Sequence, residues 1–370
     1  MDNRLYYLGF SQIKGIGPAR LKMLITYFGD IKKAWEAEPS KLVKALGGYA
    51  KVSDEFSKTR EKLNIKEYNE LLLSKGIEYT TIEDVHYPSL LKQIHDPPFI
   101  LFYTGILKKH TLNIAIVGSR VCSNYGKEVT KYLAGKLAEK GVNIISGMAR
   151  GIDSLAHIGA LAAGGYTTAV LGSGLDVIYP PENKGMFNRI TQSGLVISEF
   201  SLGVPPEASN FPRRNRVISG LANGVIVVEA AAKSGSLITV DFALEQGRDI
   251  FAVPGNITSK SSKGTNNLIK QGAKIITDID SVLEEFEEYT GFWNTSGESP
   301  LHNHKIALND KEKLVLSLIN DEPVEIESLC AKAGLKQNEL NSLLTLLEVK
   351  GLIKQVCGKK ITKNAFHYIK

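Results

Sequence analysis

The chain has 370 residues, too many for one small core, so two or three domains are expected. A formal net charge of +6 permits a nucleic-acid partner without requiring one, and the three cysteines Cys122, Cys330 and Cys357 are too widely spaced for a metal cluster or a disulfide framework. The opening Met1-Asp2-Asn3-Arg4-Leu5-Tyr6-Tyr7 lacks a signal peptide's apolar stretch and no run is long and apolar enough to span a bilayer, so a cytoplasmic location with no membrane partner is expected.

Residues 1–75 carry helical periodicity. Within them, Ile13-Lys14-Gly15-Ile16-Gly17-Pro18-Ala19-Arg20 reads as a glycine hairpin between two short helices, with Leu21, Leu24 and Ile25 on one face. Such a helix-hairpin-helix, SAM-like element either turns backbone N–H groups toward a DNA phosphate or simply joins two packed helices; both readings stay open. Residues 76–112 follow, with the pairs Tyr87-Pro88 and Pro97-Pro98 and then an apolar run from Phe99 to Phe102 that suits a strand at the edge of the next domain.

From residue 112 to 288 short apolar strands alternate with helices. Strands are expected at 114–117, 142–145, 167–171, 195–197, 225–228, 250–253 and 274–276, and helices at 127–140, 154–163 and 239–246. This alternation implies an α/β fold, an extended Rossmann-like doubly wound parallel sheet over residues 76–290, whose ligands bind beyond the carboxyl ends of the strands. Three phosphate-friendly turns are expected there. Gly118-Ser119-Arg120 supplies a helix N-terminus, a hydroxyl and a guanidinium; Ser146-Gly147-Met148-Ala149-Arg150-Gly151-Ile152-Asp153 follows the next strand; Lys233-Ser234-Gly235-Ser236 follows a later one. Gly172-Ser173-Gly174-Leu175-Asp176 lies at the same edge. In Asn210-Phe211-Pro212-Arg213-Arg214-Asn215-Arg216 the arginines oppose a helix dipole, which an anionic partner would relieve. Phe211 offers either a stacking face for an unpaired base or a staple for the helix.

Other polar residues are read as structural. Asp153 is expected to cap a helix and His157 to be a core or capping histidine. Lys233-Ser234-Gly235-Ser236 lacks the glycine loop of a nucleotide-hydrolysing P-loop, the first turn lacks the dinucleotide fingerprint, and Glu229 and Asp241 are single carboxylates with no evident partner. No catalytic residue, metal site or cofactor is therefore expected.

A polar linker is expected at 291–307, and a winged helix at 308–370: helices at 312–319, 325–333 and 337–350, a strand at 351–356 and a basic turn at 357–360. Leu340, Leu343, Leu344 and Leu347 share a face of the third helix, and Lys336 and Lys350 stand only at its ends. Duplex binding and contact with another protein both remain open for this module.

The motifs of residues 112–285 together resemble the DNA-processing protein A family, also called Smf. They are the Gly118, Arg150 and Gly172 turns, Ala156-His157, Tyr179-Pro180 with Asn183, Ser198-Glu199, the Phe211 segment, Val228-Glu229-Ala230, Lys233-Ser234-Gly235-Ser236, and Val253-Pro254-Gly255-Asn256. The resemblance implies a homodimer that binds single-stranded DNA, protects incoming DNA in natural transformation and loads RecA recombinase onto strands coated by single-strand-binding protein. It also implies a phosphate pocket built around Gly118, Ser119 and Arg120, with Arg213, Arg214, Lys233, Ser234 and Ser236 as further contacts and Lys184 as an added basic candidate. The sheet is also similar to that of nucleotide phosphoribohydrolases. Those enzymes carry a Pro-Gly-Gly-x-Gly-Thr turn with a catalytic glutamate, where this chain has the Lys233 turn and Asp241.

Overall fold

The computed structural model describes residues 2–287, 308–319, 324–350, 352–356 and 360–363. The chain divides into two compact units, Met1–Trp293 and Asn294–Lys370. The expected linker at 291–307 lies outside the described residues, as does most of the basic turn at 357–360.

The first unit begins with six helices: α1 (Asn3–Ser11), α2 (Pro18–Phe28), α3 (Ile31–Glu36), α4 (Pro39–Ala45), α5 (Ala50–Lys62) and α6 (Ile65–Ser74). The glycine hairpin joins α1 to α2 as expected: Gly15 sits at φ +91°, and the Arg20 guanidinium closes the turn on the Gly15 carbonyl at 2.6 Å. The expected boundary at residue 75 is not a break in packing. Trp35 packs edge to face on Phe10 and on Phe56, and the apolar cluster they belong to runs on into Phe99 and into Phe102, Leu171 and Val196 of the sheet.

The sheet then forms from β1 (Glu78–Thr81), α7 (Ser89–Lys92), β2 (Ile100–Gly105), β3 (Asn113–Val117), α8 (Asn124–Glu139), β4 (Asn143–Ser146), α9 (Ile152–Ala162), β5 (Thr167–Leu171), α10 (Lys184–Ser193), β6 (Leu195–Ser198), α11 (Asn210–Leu221), β7 (Gly224–Val227), α12 (Ser236–Glu245), β8 (Asp249–Ala252), α13 (Lys263–Lys270), β9 (Lys274–Ile275) and α14 (Asp280–Leu283). The strand order is β1-β2-β6-β5-β4-β3-β7-β8-β9. Strands β3 to β9 pair in parallel, while β1 and β2 add an antiparallel edge. The central strands are buried on both faces, which is why Ile144-Ile145, Val170-Leu171 and Val225-Ile226-Val227 stand at successive positions with no charged residue between them. Successive strands step outward from β3 to β6, and the chain then returns to place β7 on the other side of β3. The crevice between β3 and β7 is thus the topological switch point.

The second unit holds α15 (Asp310–Leu318), β10 (Val324–Glu325), α16 (Ile326–Ala333), α17 (Gln337–Val349), β11 (Ile353–Val356) and β12 (Lys360–Lys363), with strand order β10-β12-β11. Three helices and a small antiparallel sheet make a winged helix. Asn309 and Glu312 form a reciprocal capping box at the start of α15. Leu340, Leu343, Leu344 and Leu347 bury one face of α17 against Val315, Leu329 and Ile361, and Asn341, Ser342 and Thr345 are exposed on the other.

Candidate nucleic-acid interface

One pocket at the carboxyl ends of β3, β4 and β5 gathers four of the expected site residues. Arg120, Arg150, Phe211 and Arg214 line it together with Gly147, Ala149, Gly172, Ser173, Tyr179, Pro180 and Pro206. Among the described residues no carboxylate belongs to this lining.

Each side chain is held by an identifiable contact. Arg120 is exposed and rests over the Phe211 ring at 5.4 Å, while the buried Arg214 lies 5.7 Å from the same ring. Tyr179 completes the aromatic wall, its ring centroid 5.9 Å from that of Phe211. Phe211 therefore forms a wall of the pocket rather than a staple beneath the helix. Arg214 is 4% exposed; its guanidinium donates to the carbonyls of Gly147 and Val170, the latter at 2.8 Å. Behind it, Asp153 is buried beside the Arg214 charge, and desolvation pushes its carboxyl up against that charge. Arg150 projects outward and pairs with Glu182 at 2.5 Å, both half-exposed, so the pair is weak and open to competition by another anion.

The backbone of the second turn is unusual. Met148, fully buried, adopts φ +54°, a conformation L-residues rarely take, and Asn183 fixes it by donating to the Met148 carbonyl at 2.8 Å. Gly151 sits at φ +77°, where a Cβ would fall on the carbonyl of Ser119. That close approach lets Ile152 N–H donate to Ser119 at 3.2 Å and locks the first two turns together.

Several expectations are corrected. The Gly118-Ser119-Arg120 turn does not open a helix; α8 begins at Asn124 and is capped by Ser123. Its anion position is already filled by Glu229, 2% exposed, whose carboxylate accepts Ser123 N–H at 2.9 Å, Ser123 Oγ at 2.6 Å and Ser261 Oγ at 3.3 Å. The acid without an evident partner is thus the internal counter-charge of the switch point. Gly126 is required beside it, since a Cβ there would come within 2.5 Å of that carboxylate. The Ser119 hydroxyl donates to Val121 O at 2.7 Å and closes its own turn. Of the first turn, only Arg120 reaches the pocket; Gly118 and Ser119 shape it, as Gly151 does.

The arginine cluster also separates. Arg213 leaves α11 on another flank, over the Phe200 ring at 4.8 Å and 3.7 Å from Glu199, in a cleft facing Gly15, Ile16 and Gly17 of the hairpin. Arg216 is buried between Glu199 at 2.5 Å and Asp96 at 3.3 Å. Internal carboxylates and carbonyls therefore relieve most of the repulsion that an external anion was expected to relieve. Lys233, Ser234, Gly235 and Ser236 lie past β7, beyond the switch point, and Ser234 and Ser236 bond each other at 2.8 Å. Lys184 is exposed at the start of α10. Neither it nor the Lys233 turn lines the pocket. The N-cap of α9 is Gly151, not Asp153, whose carboxylate instead bonds the backbone at Ala149 and Gly147. Sequence reasoning missed the pocket roles of Tyr179 and Pro206; the Tyr179-Pro180 pair was the available signal.

His157 is fully buried and bonds Thr167 Oγ1 at 2.7 Å, as expected of a core histidine. Burial, with Arg214 adding to it, pushes its imidazole down to about 3, so it is neutral when folded. Its folded value lies below the unfolded one, so the unfolded state binds the extra proton. The stability linked to His157 is complete above pH 6.5 and is lost as pH falls toward 3. We expect His157→Gln to show a shallower loss of stability over that window, measured by urea unfolding at a series of pH values.

Residues 78–287 match the DNA recombination-mediator protein A family, and residues 300–359 match the DprA winged helix domain. Protein Smf of Synechocystis is 33% identical over 97% of this chain and 98% of its own length. The crystal structure of DNA processing protein A from Streptococcus pneumoniae superposes with a TM-score of 0.66 at 37% identity, covering 77% of this chain and 98% of that one. A structure of the Helicobacter pylori protein, described for its single-stranded DNA binding mode, superposes at 0.52 with 33% identity over 57% of this chain and 96% of that one.

Proposed function

Because this chain belongs to the DNA recombination-mediator protein A family, we propose that it binds single-stranded DNA at the pocket formed by Arg120, Arg150, Arg214 and Phe211. The carrying observation is the composition of that pocket: three guanidinium groups and two aromatic rings, with no carboxylate in the lining among the described residues. Guanidinium groups take phosphates of any sequence, and a ring set in a concave wall stacks on a base only when that base is unpaired. The Helicobacter pylori relative's described binding mode supports the same class of ligand.

The protein acts here as a binder and not as an enzyme. The glutamate nearest the switch-point turn, Glu229, is committed to the start of α8, and Asp241 is exposed on α12. In our reading it is a cytoplasmic homodimer that protects incoming strands during transformation and passes them to RecA. A track of separate phosphate contacts can be vacated one at a time, so a competing filament can displace the binder progressively. We expect the protein to stimulate RecA ATP hydrolysis on single strands coated by single-strand-binding protein, using the RecA of the same organism, and Arg120→Ala to stimulate it less. Equal ATP hydrolysis with and without the wild-type protein would contradict the loading role.

A further inference from the structure

A second cavity, of about 650 Å³, lies at the opposite end of the sheet, where the strands begin. It opens over the face of β2, β6 and β5 and is walled by the loop between β2 and β3. Its volume is in the range of small-molecule sites. Leu101, Leu195, Ile197 and the ring of Tyr103 give it an apolar floor.

Polar groups converge on one side of that floor. Thr168 Oγ1 donates to Asn143 Oδ1 at 3.1 Å, Asn143 Nδ2 donates to Asn113 Oδ1 at 2.9 Å, and Asn223 Oδ1 accepts Asn113 N–H at 3.0 Å. All four residues line the cavity, and the Nδ2 groups of Asn113 and Asn223 are not used in this chain of bonds. These bonds tie the strand starts together, and the Nδ2 groups of Asn113 and Asn223 beside the void suit a ligand with hydrogen-bonding edges.

The opposite rim is cationic. Lys108 and Lys109 line it beside His110, and among the described residues no carboxylate belongs to the lining. His110 stacks on Tyr166 with ring centroids 4.3 Å apart, and its Nε2 is buried without a hydrogen-bond partner. Burial pushes the His110 imidazole down, toward its neutral form, so the anionic oxygen falls to the two lysines and the unsatisfied ring nitrogen suits a polar group of the ligand.

We propose that this cavity binds a free nucleotide, with its base on the apolar floor against Asn113 and Asn223 and its phosphate at Lys108 and Lys109. The site is separate from the strand-end pocket, since β3 and β4 run between them, and it does not depend on the DNA-binding assignment.

The test is calorimetric titration of the full chain with GMP, UMP, AMP and CMP, with inorganic phosphate and a short oligothymidylate as further arms. Support is saturable binding of one or more mononucleotides, weakened about tenfold or more in a Lys108→Ala/Lys109→Ala double variant and unchanged in Arg120→Ala. The double variant changes only rim lysines, and its thermal unfolding midpoint should match wild type. No mononucleotide binding at millimolar concentration overturns the proposal. So does binding lost in Arg120→Ala but kept in the double variant, which would place the nucleotide in the strand-end pocket. Equal affinity for inorganic phosphate would reduce the cavity to an anion patch. Displacement of the mononucleotide by oligothymidylate in both wild type and Arg120→Ala would make the cavity part of a DNA track; each of these two results also overturns it.

Discussion

Arg120→Ala is expected to weaken single-stranded DNA binding roughly ten- to a hundredfold, by a similar factor for every sequence. The estimate follows from one charge-assisted phosphate contact, worth about 1.5–3 kcal/mol, with each 1.4 kcal/mol a factor of ten. Arg120 is an exposed guanidinium of the pocket that rests over the Phe211 ring, whereas the other exposed one, Arg150, is already paired with Glu182. The contact is to phosphate and carries no base information, so sequence preference should stay unchanged. Arg213→Ala should cost much less, because that side chain faces the hairpin cleft and already lies near Glu199. Fluorescence anisotropy on mixed-sequence, thymine and adenine oligonucleotides makes the comparison. A folded Arg120→Ala protein that binds like wild type would show that the turn has no part in the site.

The largest expected effect on stability comes from Glu229→Leu. The carboxylate satisfies the backbone N–H and hydroxyl of Ser123 at the start of a 16-residue helix, in a crevice closed by Gly126. A leucine removes both acceptor oxygens while keeping the site closed to water, so two donors are left unsatisfied. At about 1–3 kcal/mol for each, the loss is on the order of 2–6 kcal/mol, enough to lower the thermal midpoint by several degrees. Glu229→Gln keeps one acceptor oxygen and should lose roughly half as much. Calorimetric melting of the three proteins measures this. A leucine variant as stable as wild type would mean that Ser123 finds other partners and that Glu229 is not the counter-charge of α8.

The α/β layering was legible because buried parallel strands leave unbroken apolar runs: β5 falls on the expected 167–171, and β3, β4, β7 and β8 lie within a residue of their expected positions. The short strand β1, Glu-Tyr-Thr-Thr, has no such run; its pairing with β2 makes it a strand. At the site, the sequence could mark Arg120, Arg150, Phe211 and Arg214 as suited to phosphate and bases. It could not tell which of several adjacent arginines face outward, because that depends on helix phase and on distant partners. Arg213 and Arg216 turn toward Glu199, with Arg216 also meeting Asp96, while Arg214 turns the other way to the Gly147 carbonyl. Glu229 was unreadable for the same reason: its partners stand 106 and 32 residues away in the chain.

The central claim is that phosphate contacts at the Arg120 pocket hold single-stranded DNA. It is tested most directly by the salt dependence of binding, comparing wild type with Arg120→Ala on one thymine oligonucleotide and on a matched duplex. For the single strand we expect log affinity to fall linearly with log salt, with a slope of about −0.7 for each phosphate neutralised, and Arg120→Ala to be shallower by about one such step. The duplex should bind more weakly at every salt concentration. Identical slopes for the two proteins, or a duplex bound as tightly as the single strand, would contradict the claim.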